Sequence, residues 1–166
     1  MNYSVIKNND IADGQGVRVS LFVSGCDHHC KGCFQPETWD YRYGNEYNES
    51  IEKEILEMIN SKNIQGLTLL GGDPMCGNNP ESLISLVEKT KELGKDVWCY
   101  TGYKFEELID MRNEYIDKLL SMIDVLVDGE FVENLKDIRL QFRGSSNQRL
   151  ILCNKSTKEK IELWSE

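Results

Sequence analysis

Short apolar stretches and amphipathic stretches alternate along most of the chain. Residues 17–24 begin with alternating apolar and polar positions, are rich in β-branched side chains and stop at a glycine, which is typical of a strand. Apolar residues at helical spacing predict helices that begin near Ser50 and Pro80, and a third over about 104–120 that is interrupted near Asn113. Further strands are predicted at 66–70, 96–100, 123–127, 148–153 and 160–164, the last two as a hairpin.

Strands that alternate with helices indicate βαβ units and a largely parallel sheet. A closed barrel of eight such units takes about 250 residues, so 166 residues are too few to complete one. We therefore predict one α/β domain over residues 1–166, built as a partial (β/α) barrel of about five to six units with a mostly parallel, open sheet. In such folds the ligand site lies at the carboxyl ends of the strands.

Composition and charge exclude several classes of protein. Apolar residues make up 40% of the chain, as in ordinary globular proteins, and no apolar run approaches the ~20 residues that cross a bilayer. The formal net charge is −9 and the arginines are scattered, which argues against nucleic acid as the main partner. The first residues show no secretory signal, so we expect a soluble, cytoplasmic protein without a membrane partner.

Three of the six cysteines stand close together, directly after the strand at 17–24. Cys26, Cys30 and Cys33 form a C-x3-C-x2-C loop, and composition alone rarely produces that spacing. Three thiolates can hold three corners of a cubane iron–sulfur cluster and leave one iron open, as a catalytic site requires. A structural zinc ion with His28 or His29 as fourth ligand is the alternative reading, and both remain open at this point.

The other unusual residues also fall where predicted strands end. These strand ends carry the sequences Gly25-Cys26, Gly71-Gly72-Asp73, Thr101-Gly102 and Asp128-Gly129. Since parallel strands share one carboxyl edge, they predict a common pocket. The remaining thiols, Cys76, Cys99 and Cys153, lack ligand spacing. Cys99 and Cys153 are interpreted as buried core residues, and Cys76, next to the Gly-Gly-Asp turn, as a thiol open to exposure and not as a ligand.

Several segments, in order along the chain, resemble a known family. They are residues 13–18 (DGQGVR), 21–33 (LFVSGCDHHCKGC), 38–39 (TW), 66–75 (GLTLLGGDPM), 100–103 (YTGY), 125–131 (VLVDGEF) and 142–149 (FRGSSNQR). The cysteine spacing is similar to that of radical S-adenosylmethionine enzymes, and the later segments resemble the activating proteins of anaerobic (class III) ribonucleoside-triphosphate reductases. Two positions depart from the pattern: Gly32 stands where an aromatic residue is common, and Gln15 where a proline is expected.

The resemblance implies a [4Fe–4S] cluster on Cys26, Cys30 and Cys33, with S-adenosylmethionine bound at the open iron. It further implies cofactor contacts from Gly71, Gly72, Asp73, Thr101, Asp128, Arg143, Ser145 and Asn147. Within this set the Gly-Gly-Asp segment would bind the methionyl amino group. Thr101 and Asp128 would face its carboxylate, directly or through a monovalent cation, and the polar run after Phe142 would contact ribose, carboxylate or the partner.

The implied activity is that of an activase. An external one-electron donor reduces the cluster, S-adenosylmethionine is cleaved, and the 5′-deoxyadenosyl radical takes the α-hydrogen of a glycine in the large subunit of the anaerobic ribonucleotide reductase. Two alternatives remain at this stage. One is a radical S-adenosylmethionine enzyme that acts on a different glycyl radical enzyme or on a small molecule, and the other is a non-catalytic zinc or iron–sulfur binding module.

Overall fold

A seven-stranded sheet organises the chain in the computed structural model, which describes residues 1–166. The strands are β1 (Asn2–Asp10), β2 (Arg18–Val23), β3 (Asn45–Glu46), β4 (Gly66–Gly71), β5 (Asp96–Tyr100), β6 (Val125–Asp128) and β7 (Arg149–Leu152). Their spatial order is β3-β1-β2-β4-β5-β6-β7. The four central strands, β2, β4, β5 and β6, run parallel, while β1, β3 and β7 pair antiparallel at the two sides.

Four helices connect the parallel strands. They are α1 (Glu49–Ile59), α2 (Asn79–Glu92), α3 (Phe105–Asp110) and α4 (Glu114–Met122). The predicted mixed α/β fold with an open sheet, parallel in its middle, is confirmed. The expected five to six barrel units are not: four strands are parallel, and antiparallel strands extend the sheet on either side without closing it.

Local side-chain chemistry sets several helix limits. The Asn48 side chain accepts a hydrogen bond from the Ile51 N–H and so caps the start of α1. Between α3 and α4, the Asn113 side chain accepts bonds from two N–H groups of the next turn, at 2.9 and 3.2 Å. This new cap confirms the interruption that the sequence predicts near Asn113.

The two ends of the chain differ from the sequence prediction. The longest strand, β1, was not predicted, and its residues are mostly half-buried or exposed at a side of the sheet. The strand predicted at 148–153 is present as β7, but it pairs with β6. Residues 160–164 form no regular strand, but Leu163 makes an antiparallel bridge to Ile151. Two backbone hydrogen bonds flank this bridge: the Leu152 N–H donates to the Glu162 carbonyl at 2.9 Å, and the Trp164 N–H to the Leu150 carbonyl at 2.8 Å. The predicted hairpin is therefore present as an antiparallel pairing, without its second strand.

The two faces of the parallel sheet have different coverings. Leu21, Leu69 and Cys99 point to one face, where they join the main hydrophobic core beneath the helices. Because side chains alternate along a strand, their neighbours Phe22, Leu70 and Tyr100 point to the other face. No helix covers that face, and these three side chains line a cavity there.

None of the helices combines the length and the apolar character that crossing a membrane requires.

An ion pair joins the last parallel strand to β7. The Asp128 carboxylate, 1% exposed, accepts hydrogen bonds from Arg149 Nε at 3.1 Å and from its terminal nitrogen at 2.6 Å. Asp128 also accepts a bond from the Phe105 N–H at 2.8 Å. The hydrogen bond to Asp128 raises the pKa of Arg149 above its ordinary value.

We expect the substitution Arg149→Met to lower the free energy of unfolding by about 3 kcal/mol, because it leaves a buried carboxylate without its cation. Denaturant unfolding followed by circular dichroism measures the change. Arg139→Met is the matched control: its partner is Asp137, and its side chain is 87% exposed, so its loss should leave stability nearly unchanged. Equal effects of the two substitutions would contradict this account of Asp128.

Candidate functional site

A cavity of about 570 Å³ lies at the carboxyl ends of the parallel strands, on the face that the helices leave open. The predicted site residues that line it are Cys26, Cys30, Cys33, Gly71, Gly72, Asp73, Thr101 and Arg143. Its outer wall is the segment that follows β6, which contributes Phe131, Ile138 and Phe142 among others. The topology therefore gathers residues that are far apart in the sequence around one space.

The cysteine loop is attached to the end of β2 by a tight turn. Gly25 has a φ of +103°, and a Cβ there would lie 2.1 Å from the Tyr41 ring, so glycine is required. The N–H groups of Gly25 and Cys26 donate to the carbonyls of Thr38 and Trp39, at 2.7 and 3.2 Å. These bonds fix where the first thiol enters the cavity.

All three loop thiols are free and partly exposed. The three sulfur atoms do not form a group whose members all lie within 4.8 Å of one another, the separation at which they could surround a single ion. An iron–sulfur cubane is larger than one ion and takes three or four thiolates as ligands. Three free thiols that line one cavity, without all lying close enough for a single ion, therefore fit a [4Fe–4S] cluster better than one zinc ion.

Asp73 joins the ends of two strands. Its carboxylate is 1% exposed and accepts hydrogen bonds from the N–H groups of Met75 and Gly102, both at 2.8 Å, and from the Thr101 hydroxyl at 3.0 Å. A fourth contact, of 2.8 Å, joins it to His28 Nε2. Groups of the chain itself thus surround the carboxylate, and Thr101 is oriented by the same network.

The two glycines before Asp73 are required by the close packing of two strand ends. A Cβ on Gly72 would lie 2.6 Å from the Gly25 carbonyl oxygen, and one on Gly71 equally close to the Val23 oxygen. Glycine therefore lets β4 pass the end of β2 without a clash. The carbonyl of Gly72 accepts no hydrogen bond from the chain, so it is available to a ligand in the cavity.

His28 has a more central position than the sequence suggests. Its ring nitrogens lie 2.8 Å from Asp73 and 3.0 Å from Glu130, and its ring packs edge-on against Tyr103. The hydrogen bond with Asp73 raises the pKa of His28 to about 11, so the ring is cationic at neutral pH. The sequence offers no signal for this role apart from the position of His28 between two cysteines.

Three predicted contact residues do not line the cavity. Asp128 is paired with Arg149, the Ser145 hydroxyl accepts a bond from the Val132 N–H, and the Asn147 amide donates to the Glu130 carbonyl. The last two stabilise the segment that forms the outer wall. Arg143 does line the cavity and donates from one terminal nitrogen to two carbonyls of the same segment, so its other N–H groups are unpaired.

The mouth of the cavity exposes apolar side chains. Phe34, directly after the third loop cysteine, is 68% exposed, and Ile138 on the outer wall is 92% exposed. Both line the cavity, and Lys136 lies over the Phe34 ring at 5.3 Å. The entrance thus presents apolar surface beside an open cavity, as interaction sites do.

A carboxyl group at the cavity wall makes stability depend on pH. Burial, followed by a hydrogen bond with Asp10, raises the pKa of Asp13 to about 7. An unfolded chain loses this proton near pH 4. Between about pH 4 and pH 7 the folded state therefore binds more protons than the unfolded state, and stability falls as pH rises through this window.

We expect Asp13→Asn to remove this contribution. The free energy of unfolding of the variant, minus that of the unmodified protein, should grow from about pH 4 to pH 7 and then level off. Because Asp13 is partly exposed, the gain should not exceed about 2 kcal/mol. Urea unfolding at a series of pH values measures it, and a difference that does not vary with pH would contradict the assigned burial.

Comparison with known proteins defines the class to which this site belongs. A family described as a 4Fe-4S single cluster domain matches residues 12–151, which include the cysteine loop and the outer wall. The chain is thus a protein with a domain for one iron–sulfur cluster.

Individual relatives show which family of iron–sulfur proteins the chain belongs to. The anaerobic ribonucleoside-triphosphate reductase-activating protein of Escherichia coli (strain K12) is 42% identical over 152 residues, which cover 89% of this chain and 96% of the relative. The protein of the same name from Enterobacteria phage T4 is 41% identical over 90% of this chain and 93% of its own length. The one from Haemophilus influenzae is 40% identical over 89% of this chain and 96% of its own length. The chain belongs to the family of anaerobic ribonucleoside-triphosphate reductase-activating proteins.

Proposed function

We propose that residues 1–166 act as a single activase domain, which cleaves S-adenosylmethionine reductively and generates a glycyl radical on an anaerobic ribonucleoside-triphosphate reductase. The observation that carries the proposal is the placement of three free thiols around an open cavity, next to a strand end with an available carbonyl. Membership of the activating-protein family supports the choice of target.

The cysteines at 26, 30 and 33 would hold the cluster and leave one iron to the cofactor. When bound, the reduced cluster would supply one electron for the cleavage of S-adenosylmethionine to methionine, and the α-hydrogen of a glycine in the reductase would pass to the 5′-deoxyadenosyl product. The electron would come from an external one-electron donor. The protein contributes ligand binding, orientation and the exclusion of competing reactions.

Two groups that line the cavity suit the charged end of S-adenosylmethionine. The free Gly72 carbonyl is an acceptor for the methionyl ammonium group. The unpaired N–H groups of Arg143 are donors for its carboxylate. Thr101 and the buried Asp73 would position the strand ends and would not contact the cofactor themselves, because their polar atoms already bind each other and the backbone there.

The open mouth accounts for the choice of a macromolecular substrate. A primary carbon radical reacts with solvent components, so the cavity has to be closed while the radical exists. The exposed side chains of Phe34 and Ile138 at the entrance are suited to contact an apolar protein surface. A peptide segment of the reductase, with its glycine, would complete the enclosure when it docks there.

Anaerobic purification tests the cofactor content directly. The protein should be brown and contain about four irons per chain, and with dithionite it should convert S-adenosylmethionine to methionine and 5′-deoxyadenosine. A colourless, zinc-containing protein that leaves S-adenosylmethionine intact after anaerobic iron and sulfide reconstitution would contradict the proposal.

A further inference from the structure

A second group of metal-ligating side chains overlaps the cysteine loop. Cys26, His28, Asp73 and Cys76 each offer one ligand atom, and these four atoms all lie within 4.8 Å of one another. Cys76 is 1% exposed and stands three residues after Asp73, the last residue of the Gly-Gly-Asp segment.

We propose that the cluster-free chain binds one thiophilic divalent cation, of the zinc class, at Cys26, His28, Asp73 and Cys76. Two thiolates, an imidazole and a carboxylate are ligands that zinc takes in tetrahedral sites. The soft sulfur donors select against magnesium and calcium, which prefer oxygen ligands. The ion binds thiolates and a neutral imidazole, so its binding releases protons.

Neighbouring groups already hold two of the ligands in place. The Asp73 carboxylate is fixed by the N–H groups of Met75 and Gly102 and by a hydroxyl, and such outer contacts orient metal ligands. The Cys76 sulfur lies 3.8 Å from the Tyr103 hydroxyl, which can donate to a thiolate. The His28–Asp73 contact of 2.8 Å must open slightly, so that both groups bind the same ion.

The proposed ion and the cluster compete for one residue. Cys26 belongs to both ligand sets, whereas Cys30 and Cys33 serve only the cluster and Cys76 serves only the ion. A chain that holds zinc therefore lacks one of the three thiolates that a cluster needs. This competition rests on the proposed function, but binding of the ion does not.

Cobalt titration of the reduced, metal-free protein tests the site without a cluster. One equivalent of Co²⁺ should give the visible bands of a tetrahedral ion and a thiolate-to-cobalt charge-transfer band. Cys76→Ser should lower the charge-transfer intensity per cobalt by about half, and cobalt affinity at least about tenfold. His28→Gln should also weaken binding, while Cys33→Ser should leave the titration unchanged.

Two results would overturn the proposal: no stoichiometric Co²⁺ binding by the unmodified protein, or binding that is lost in Cys33→Ser and kept in Cys76→Ser. Far-ultraviolet circular dichroism of each variant shows that the fold is retained. The competition has a separate readout, the iron incorporated after one equivalent of Zn²⁺ is added first. Zinc should reduce this iron strongly in the unmodified protein and much less in Cys76→Ser, while a protein that never takes up iron would contradict the proposed function alone.

Discussion

Replacement of Cys26, Cys30 or Cys33 by alanine is expected to abolish cluster binding and the release of 5′-deoxyadenosine. Each of these thiols lines the cavity, is free and is partly exposed. The loop supplies only three thiolates, so a single loss leaves two, which should not hold a functional cubane. Iron content after anaerobic reconstitution and deoxyadenosine formed under dithionite are the two measurements.

Matched controls come from the cysteines of the hydrophobic core. Cys99 and Cys153 are buried among apolar side chains, so their replacement by alanine removes one buried sulfur each without touching the cavity. These variants should keep their iron and their activity and lose about 1 kcal/mol of stability. A Cys26 variant that still cleaves S-adenosylmethionine at the full rate would show that the ligand assignment is wrong.

A mixture of the reduced protein, S-adenosylmethionine and an anaerobic reductase is expected to give a doublet signal in electron paramagnetic resonance. The signal comes from the glycyl radical, in which the unpaired electron couples to the one remaining α-hydrogen. Replacement of that glycine by alanine in the reductase should remove the doublet completely. The iron content of the activating protein should stay the same, because the substitution lies in the other chain.

A substitution at the cavity entrance also tests the formation of the glycyl radical on the reductase. Ile138 is 92% exposed at the mouth, so the substitution Ile138→Asp should leave folding and S-adenosylmethionine cleavage intact. It should weaken docking and lower the yield of glycyl radical at limiting reductase concentrations. Unchanged radical yields would show that the reductase does not dock at this entrance.

The central strands could be predicted from the sequence because their signal is local. The strand that begins at Arg18 and the break near Asn113 follow from β-branched residues, helical spacing and a capping side chain. The first strand could not be predicted in the same way. Residues 2–10 form a half-exposed strand at the side of the sheet, and their pairing with β2 gives no strict alternation to read.

The residues of the candidate site also differ in whether a local sequence pattern predicts them. The cysteine spacing is a local pattern, so the loop could be predicted before the fold was known. The roles of His28 and Cys76 depend on contacts that the sequence does not display: His28 meets Asp73 across 45 positions and Glu130 across 102. The family resemblance implied that Asp128, at a strand end, faces the cofactor. Its pairing with Arg149 of β7 depends instead on an antiparallel strand beside it.

Transfer of a labelled hydrogen tests the central claim most directly. The reductase is deuterated at the α-carbon of its radical-forming glycine and mixed with the reduced protein and S-adenosylmethionine, and the released 5′-deoxyadenosine is analysed by mass spectrometry. The proposed activase reaction predicts deoxyadenosine that carries one deuterium. Deoxyadenosine that forms but remains unlabelled would contradict the account and indicate a radical enzyme that acts on a different substrate.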